Sequence, residues 1–125
     1  MSLSVDVWLP ADGGQLEILT PAFEGADLAG FERWRMTVWG SEAVRALGAR
    51  FFPVLADGDL TVQPDQLDAF LAECALIRAS VELIAPRSDP GESIPQYVEQ
   101  ISHRLANIEA AAERAQQLGG GVVIW

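Results

Sequence analysis

The chain has no lysine and only one cysteine, one histidine and one tyrosine among its 125 residues. Each scarcity excludes something. A single cysteine, Cys74, cannot form an internal disulfide, and thiols kept reduced suit the cytoplasm, which is the expected location. One cysteine and one histidine cannot assemble a structural zinc site, which takes four such ligands. Any histidine-based acid–base chemistry has to use His103, which falls about 200° around its helix from the apolar stripe and is expected on the solvated surface. No apolar run approaches the ~20 residues that span a bilayer. The segment Met1–Pro10 has no basic n-region and carries Asp6, so it is not expected to act as a signal peptide.

Positive charge is also scarce. Eight bases, all arginine, stand against 18 acids, for a net charge of −10. Such a field repels phosphate, so nucleic acid and anionic membrane are excluded as expected partners, and a basic protein is favoured. The acids are spread evenly, with nine acids and four arginines in residues 1–63 and the same numbers in residues 64–125.

What is present argues for a folded core. Half of the residues are hydrophobic and 21% are charged. At this length one domain, residues 1–125, can bury most of its apolar surface without a covalent staple. Ser4–Leu9 alternates with Val5, Val7 and Leu9 on one face, and Gln15–Thr20 alternates with Leu16 and Ile18 inward, which predicts two strands joined by a tight turn. Asp27 is placed to cap a helix over Leu28–Trp39, and Ser41 a short one over Glu42–Leu47. Phe51–Ala56 reads as a strand interrupted by Pro53, and Asp57-Gly58 as a hairpin turn into Asp59–Val62. Pro64 opens a long helix with the stripe Leu67, Phe70, Cys74, Ile77, Val81 and Ile84, closed by Pro86. After a loop over Arg87–Glu92, Ser93 and Gln96 form a capping-box pattern. The next helix carries Ile94, Val98, Ile101, Leu105, Ile108, Ala112 and Ala115 at alternating spacings of four and three. Gly119-Gly120-Gly121 stops it, and Val122–Trp125 reads as a buried strand.

The order β-β-α-α-β-β-α-α-β predicts an α+β two-layer sandwich. A mixed sheet of about five short strands is covered by a long antiparallel helical hairpin. The Ala-Asp-Gly triplets at residues 11–13 and 56–58 each head a hairpin in this reading, a faint echo between the halves. The segment Ile108–Trp125 resembles the last helix and strand of the barstar family of inhibitors. The resemblance covers 18 of 125 residues and includes none of that family's inhibitory acids, so it implies a helix–glycine–strand ending and no more.

The residues supply no catalytic constellation, and neither a metal nor a cofactor is assigned. Cys74 lies on an apolar stripe, where a thiol packs as a small hydrophobe. Asp57-Gly58-Asp59 lacks the spread of oxygen ligands a calcium loop needs. The three glycines follow a helix rather than preceding one, the wrong polarity for phosphate.

Two segments stand out as binding candidates. Between Arg50 and Arg78 lie Asp57, Asp59, Asp65, Asp68 and Glu73 with no base, which predicts an acidic face. On the expected helix Phe31–Trp39, Arg33, Trp34, Arg35 and Trp39 combine guanidinium with aromatic surface. Such a pair can hold a carboxylate or phosphate, or can pack as core. The first expectation for function is a small acidic module that occludes a basic site on another protein, as inhibitor and immunity proteins do. The second is a homodimer or larger homo-oligomer joined through the apolar strand Val122–Trp125. The third is a small-ligand protein or enzyme using Arg33 or Arg35 with Glu32 and Asp59.

Overall fold

The computed structural model describes residues 2–87 and 93–125. The loop expected over Arg87–Glu92 lies, beyond Arg87, outside them. Five strands form one open sheet: β1 (Ser2–Pro10), β2 (Leu16–Ile18), β3 (Leu28–Phe31), β4 (Leu60–Val62) and β5 (Gly121–Ile124). The helices are α1 (Glu42–Ala46), α2 (Leu67–Ala79), α3 (Val81–Ile84) and α4 (Ile94–Leu118). The α+β class and the helix-on-sheet layering are those expected, but the sheet is antiparallel at every pairing rather than mixed.

Its order is β2-β1-β5-β4, with β3 also pairing β1. Ser4 exchanges backbone hydrogen bonds with Trp125, whereas Val5 N–H reaches Asp27 O and Leu19 N–H reaches Val7 O. Successive peptide groups of a strand point to opposite edges. So β5 takes one edge of β1, and β2 and β3 lie end to end along the other. β5 is therefore an inner strand between β1 and β4. It has no open edge with which to pair a second copy.

Side-chain alternation then sorts the two faces. Leu3, Val5 and Val7 point inward with Leu60, Val62, Val122 and Ile124, all buried. Helix α4 covers them with Ile101, Leu105, Ile108, Ala112 and Ala115, the stripe read from the sequence. At its start the stripe runs through buried Tyr97, while Ile94 is exposed and Val98 half-buried. The cause is Trp34, whose ring centroid lies 5.8 Å from that of Tyr97. Helix α2 runs antiparallel to α4: Asp68 accepts from Gln116, and ten residues on Arg78 pairs with Glu109. Its stripe from Leu67 to Ile84 is buried throughout, although the chain breaks helical geometry at Ser80 (φ −114°, ψ 9°), separating α2 from α3. Ser93 precedes α4 but its hydroxyl makes no cap bond, whereas Gln66 Oε1 accepts from Gln63 N–H at 2.9 Å before α2.

Two expected elements are something else. Leu28–Trp39 is not one α-helix: its start is β3, and only its end is helical, a π-helix over Arg35–Trp39 in which Gly40 N–H bonds Arg35 O at 2.8 Å. Gly30 decides this. Its φ is +109°, outside right-handed helix, and a Cβ there would stand 2.3 Å from the ring of buried Trp34. Phe51–Ala56 is not a strand but a 3-10 turn over Phe52–Ala56, so Asp57-Gly58 joins that turn to β4 and closes no hairpin. The two Ala-Asp-Gly triplets thus occupy different structures, and no repeat of the halves is visible.

Replacement of Gly30 by alanine is expected to lower unfolding free energy by about 2–4 kcal/mol, because strain at positive φ adds to overpacking against a fixed ring. Urea denaturation with far-ultraviolet circular dichroism measures it, and an unchanged midpoint contradicts the account.

Candidate functional site

The segment between Arg50 and Arg78 gathers most of the polar chemistry, but its acids do different work. Glu73 is on α2 and is buried, 8% exposed. Its carboxylate accepts from the backbone N–H groups of Arg50 (2.5 Å), Phe51 (2.9 and 3.1 Å) and Phe52 (2.8 Å). Three consecutive N–H groups converge on one anion only when the backbone curls, since a strand sends them to alternate sides. This is the physical reason that the apolar run Phe51–Ala56 is a turn. Glu73 is thus a structural anchor and not part of an acidic surface.

Asp57, Asp59, Asp65 and Asp68 are exposed, as expected. Asp68 accepts from Gln116 Nε2 at 2.7 Å, across the helical hairpin. Asp59 is 3.0 Å from Arg35 Nη2. Asp57 and Asp65 form no ion pair or side-chain hydrogen bond among the described residues.

Arg35 is a clasp. Its Nε donates to Glu32 at 2.5 Å, its Nη1 to Gly58 O at 2.6 Å and Leu55 O at 3.5 Å, and its Nη2 to Asp59. Partial desolvation pulls its pKa down, but hydrogen bonds and charge from Glu32 and Asp59 outweigh that and hold it above the ordinary value. The sequence pattern named these three residues, and the structure brings them together. All three nitrogens of the guanidinium are turned to protein acceptors. Arg33, not Arg35, stacks on an aromatic ring, 4.7 Å above the centre of Phe31. Trp34 and Trp39 are core: both are wholly buried, edge to face at 5.7 Å. The line continues from Trp39 to Phe52 and on to Phe70, which stack at 5.3 Å.

Cys74 is fully buried. Burial first, and the negative charges of Glu109 and Glu73 second, push its thiol pKa far above the ordinary range. His103 is exposed on α4. Among the described residues no group of three or more His, Cys, Asp or Glu side chains could hold a metal ion. Nor is any helix among them long and apolar enough to cross a membrane.

The feature the sequence pattern misassigned is the outer face of the sheet. Leu16 and Ile18 point outward, 54% and 42% exposed, not inward. β2 pairs only the far end of β1, at Trp8, Leu9 and Pro10, so Ile18 lies opposite outward-facing Trp8. Together with Val123 and Trp125 these side chains line an open groove of about 440 Å³, with Thr61 and Asp59 on its β4 side. The Trp8 ring lies across Gly121, where a Cβ would stand 2.4 Å from it and 2.2 Å from Val62 O. Trp125 Nε1 donates to Asp6 at 2.8 Å, which fixes the second indole. Among the described residues no arginine lines this groove. The parity of Trp8 within Ser4–Leu9 was the available signal, since it opposes Val5 and Val7.

Two outcomes follow for single residues. Glu73→Gln is expected to destabilise the fold by about 2–3 kcal/mol, because the charged acceptor is replaced by an amide that cannot satisfy all three donors. Urea titration of this variant beside Asp57→Asn, expected to leave the midpoint unchanged, separates anchor from surface acid. The Cys74 thiol is expected to react with a maleimide only as fast as the protein unfolds. Rapid stoichiometric labelling under native conditions contradicts its placement.

Compared with protein-family models, with curated proteins and with solved structures, the chain gives no match.

Proposed function

We propose that this protein is a small acidic protein-binding module that covers a basic site on a partner, in the manner of an inhibitor or immunity protein. One observation carries the reading. Asp57, Asp59, Asp65 and Asp68 are all exposed and bracket β4 and the start of α2. Among the described residues the only arginine contacting them, Arg35, is shared between Asp59 and Glu32. Local negative charge is therefore left over on a chain of net charge −10. Such a surface steers a basic partner and repels nucleic acid and anionic lipid. The scaffold suits the task, because Asp57 and Asp59 follow a turn held by a buried anchor and a clasp, and Asp65 and Asp68 stand at the start of α2, none of them on a long loop. Catalysis and small-ligand binding have less support, since Arg35 is committed to four protein acceptors.

The test reverses only the acids that hold nothing else. Asp57→Arg with Asp65→Arg is expected to leave the melting temperature unchanged. Affinity capture with the parent chain is expected to recover a partner of basic isoelectric point, released by raised salt and absent with the double variant. Recovery of the same proteins by both chains overturns the proposal.

A further inference from the structure

We infer that the groove on the outer face of the sheet is the apolar half of the partner's docking site, and that it takes an apolar side chain flanked by arginine or lysine. The inference rests on the acidic-module reading above and adds the place and chemistry of contact.

A one-layer sheet leaves one face bare unless something covers it, and here the bare face is apolar rather than polar. Leu16, Ile18 and Trp125 expose 54%, 42% and 45% of their surface around nearly buried Trp8 and Val123. Four strands at about 4.8 Å spacing, over three or four residues at about 3.4 Å, make a patch of roughly 200–300 Å². A stable interface buries roughly 800 Å² on each partner. The groove can thus be the centre of an interface but not the whole of it, and the surrounding rim has to supply the remainder.

The rim is acidic. Asp59, paired with Arg35, lines the groove, Asp6 holds the Trp125 indole beside it, and Asp57 and Asp65, unpaired among the described residues, stand just beyond the two ends of β4. A second copy of this chain seated on the same face sets this rim against itself, acid to acid, between molecules of charge −10 each. Like charges face to face oppose that closure. A partner with an apolar anchor ringed by cations meets both halves at once. The exposed indole is suited to the centre: Trp125 is tied to Asp6 at 2.8 Å and rests beside Trp8, itself held by Val122 O at 3.2 Å, so little rotamer freedom is lost on contact. Asp59, which lines the groove and begins the acidic edge, is where the two halves meet.

The experiment uses the whole chain and three peptides: a Leu-Phe-Leu centre with arginine pairs at both ends, the same with a serine centre, and the same apolar centre with glutamate pairs. Trp125 is the exposed indole, so its emission reports occupancy. The expected result is a monomer in sedimentation at micromolar concentration and a salt-sensitive emission shift with the arginine–apolar peptide. Affinity is expected to fall by about tenfold for the serine-centred peptide. Leu16→Glu with Ile18→Glu adds negative charge to the same face, so attraction by charge alone predicts tighter binding. About tenfold weaker binding is expected instead. Thr61→Arg, at the exposed position of β4, is the second variant should the first not fold, and weaker binding of the arginine–apolar peptide is expected from it too.

Equal binding of the two arginine peptides overturns the groove while leaving the basic-partner reading standing. Equal binding of the glutamate peptide overturns both. A dimer, or no shift with any peptide, overturns the groove.

Discussion

The carboxylate of Glu73 is the constraint from which the rest of this structure follows. An anion nearly removed from water is tolerated only when its lone pairs are satisfied, and here three successive backbone N–H groups do so. The consequence runs outward. Curling the backbone at Arg50–Phe52 sets Phe52 against Trp39 on one side and Phe70 on the other. That aromatic line joins the π-helix to α2. It also fixes where the 3-10 turn ends, and so presents the carbonyls of Leu55 and Gly58 to Arg35. The clasp then orients Asp59 at the start of β4. An acid that looks in sequence like one member of a charged surface is the element that positions the others.

The fold was legible where periodicity and burial agree. Strand β1, the stripe of α2, most of α4 and the glycine stop before β5 all come from local apolar spacing, and core packing reinforces it. It was illegible where a distant group decides. Leu28, Phe31, Trp34 and Val38 have helical spacing, but the backbone at Gly30 and the ring of Trp34 keep the start of the segment out of a helix, and neither is visible in a pattern of apolar residues. Phe51–Ala56 has the composition of a strand, and only an acid 21 residues from Phe52 makes it a turn. Alternation puts Leu16 and Ile18 on one face of β2 without saying which face is covered. The sheet register, with β2 paired to the far end of β1, makes that choice.

The candidate site was half legible for the same reason. Composition shows a base-free run of acids but not how each is used. Burial separates Glu73, the helical hairpin takes Asp68, and the clasp takes Asp59. The Arg–Trp segment divides likewise: its tryptophans are core, and one arginine is structural. The grouping of Arg35 with Glu32 and Asp59 could be read from residue types, because a lone guanidinium among acids finds partners. Its acceptors at Leu55 and Gly58 could not, since they are backbone groups of an element whose shape the sequence misrepresents.

The structural use of some acids sharpens the functional argument. Were all five acids in the base-free run free at the surface, their charge could be simple solubility, which needs no particular geometry. Instead the run is divided: Asp68 is tied across the helical hairpin to Gln116, and Asp59 to Arg35. Asp57 and Asp65, beyond either end of β4, are left uncommitted beside an apolar face that no described helix covers. Exposed apolar surface rimmed by charge of one sign is costly to keep in water and invites association. The same-sign rim discourages the commonest form of that association, with a second copy. Together these two features support the proposed reading, in which a partner of opposite charge covers the face.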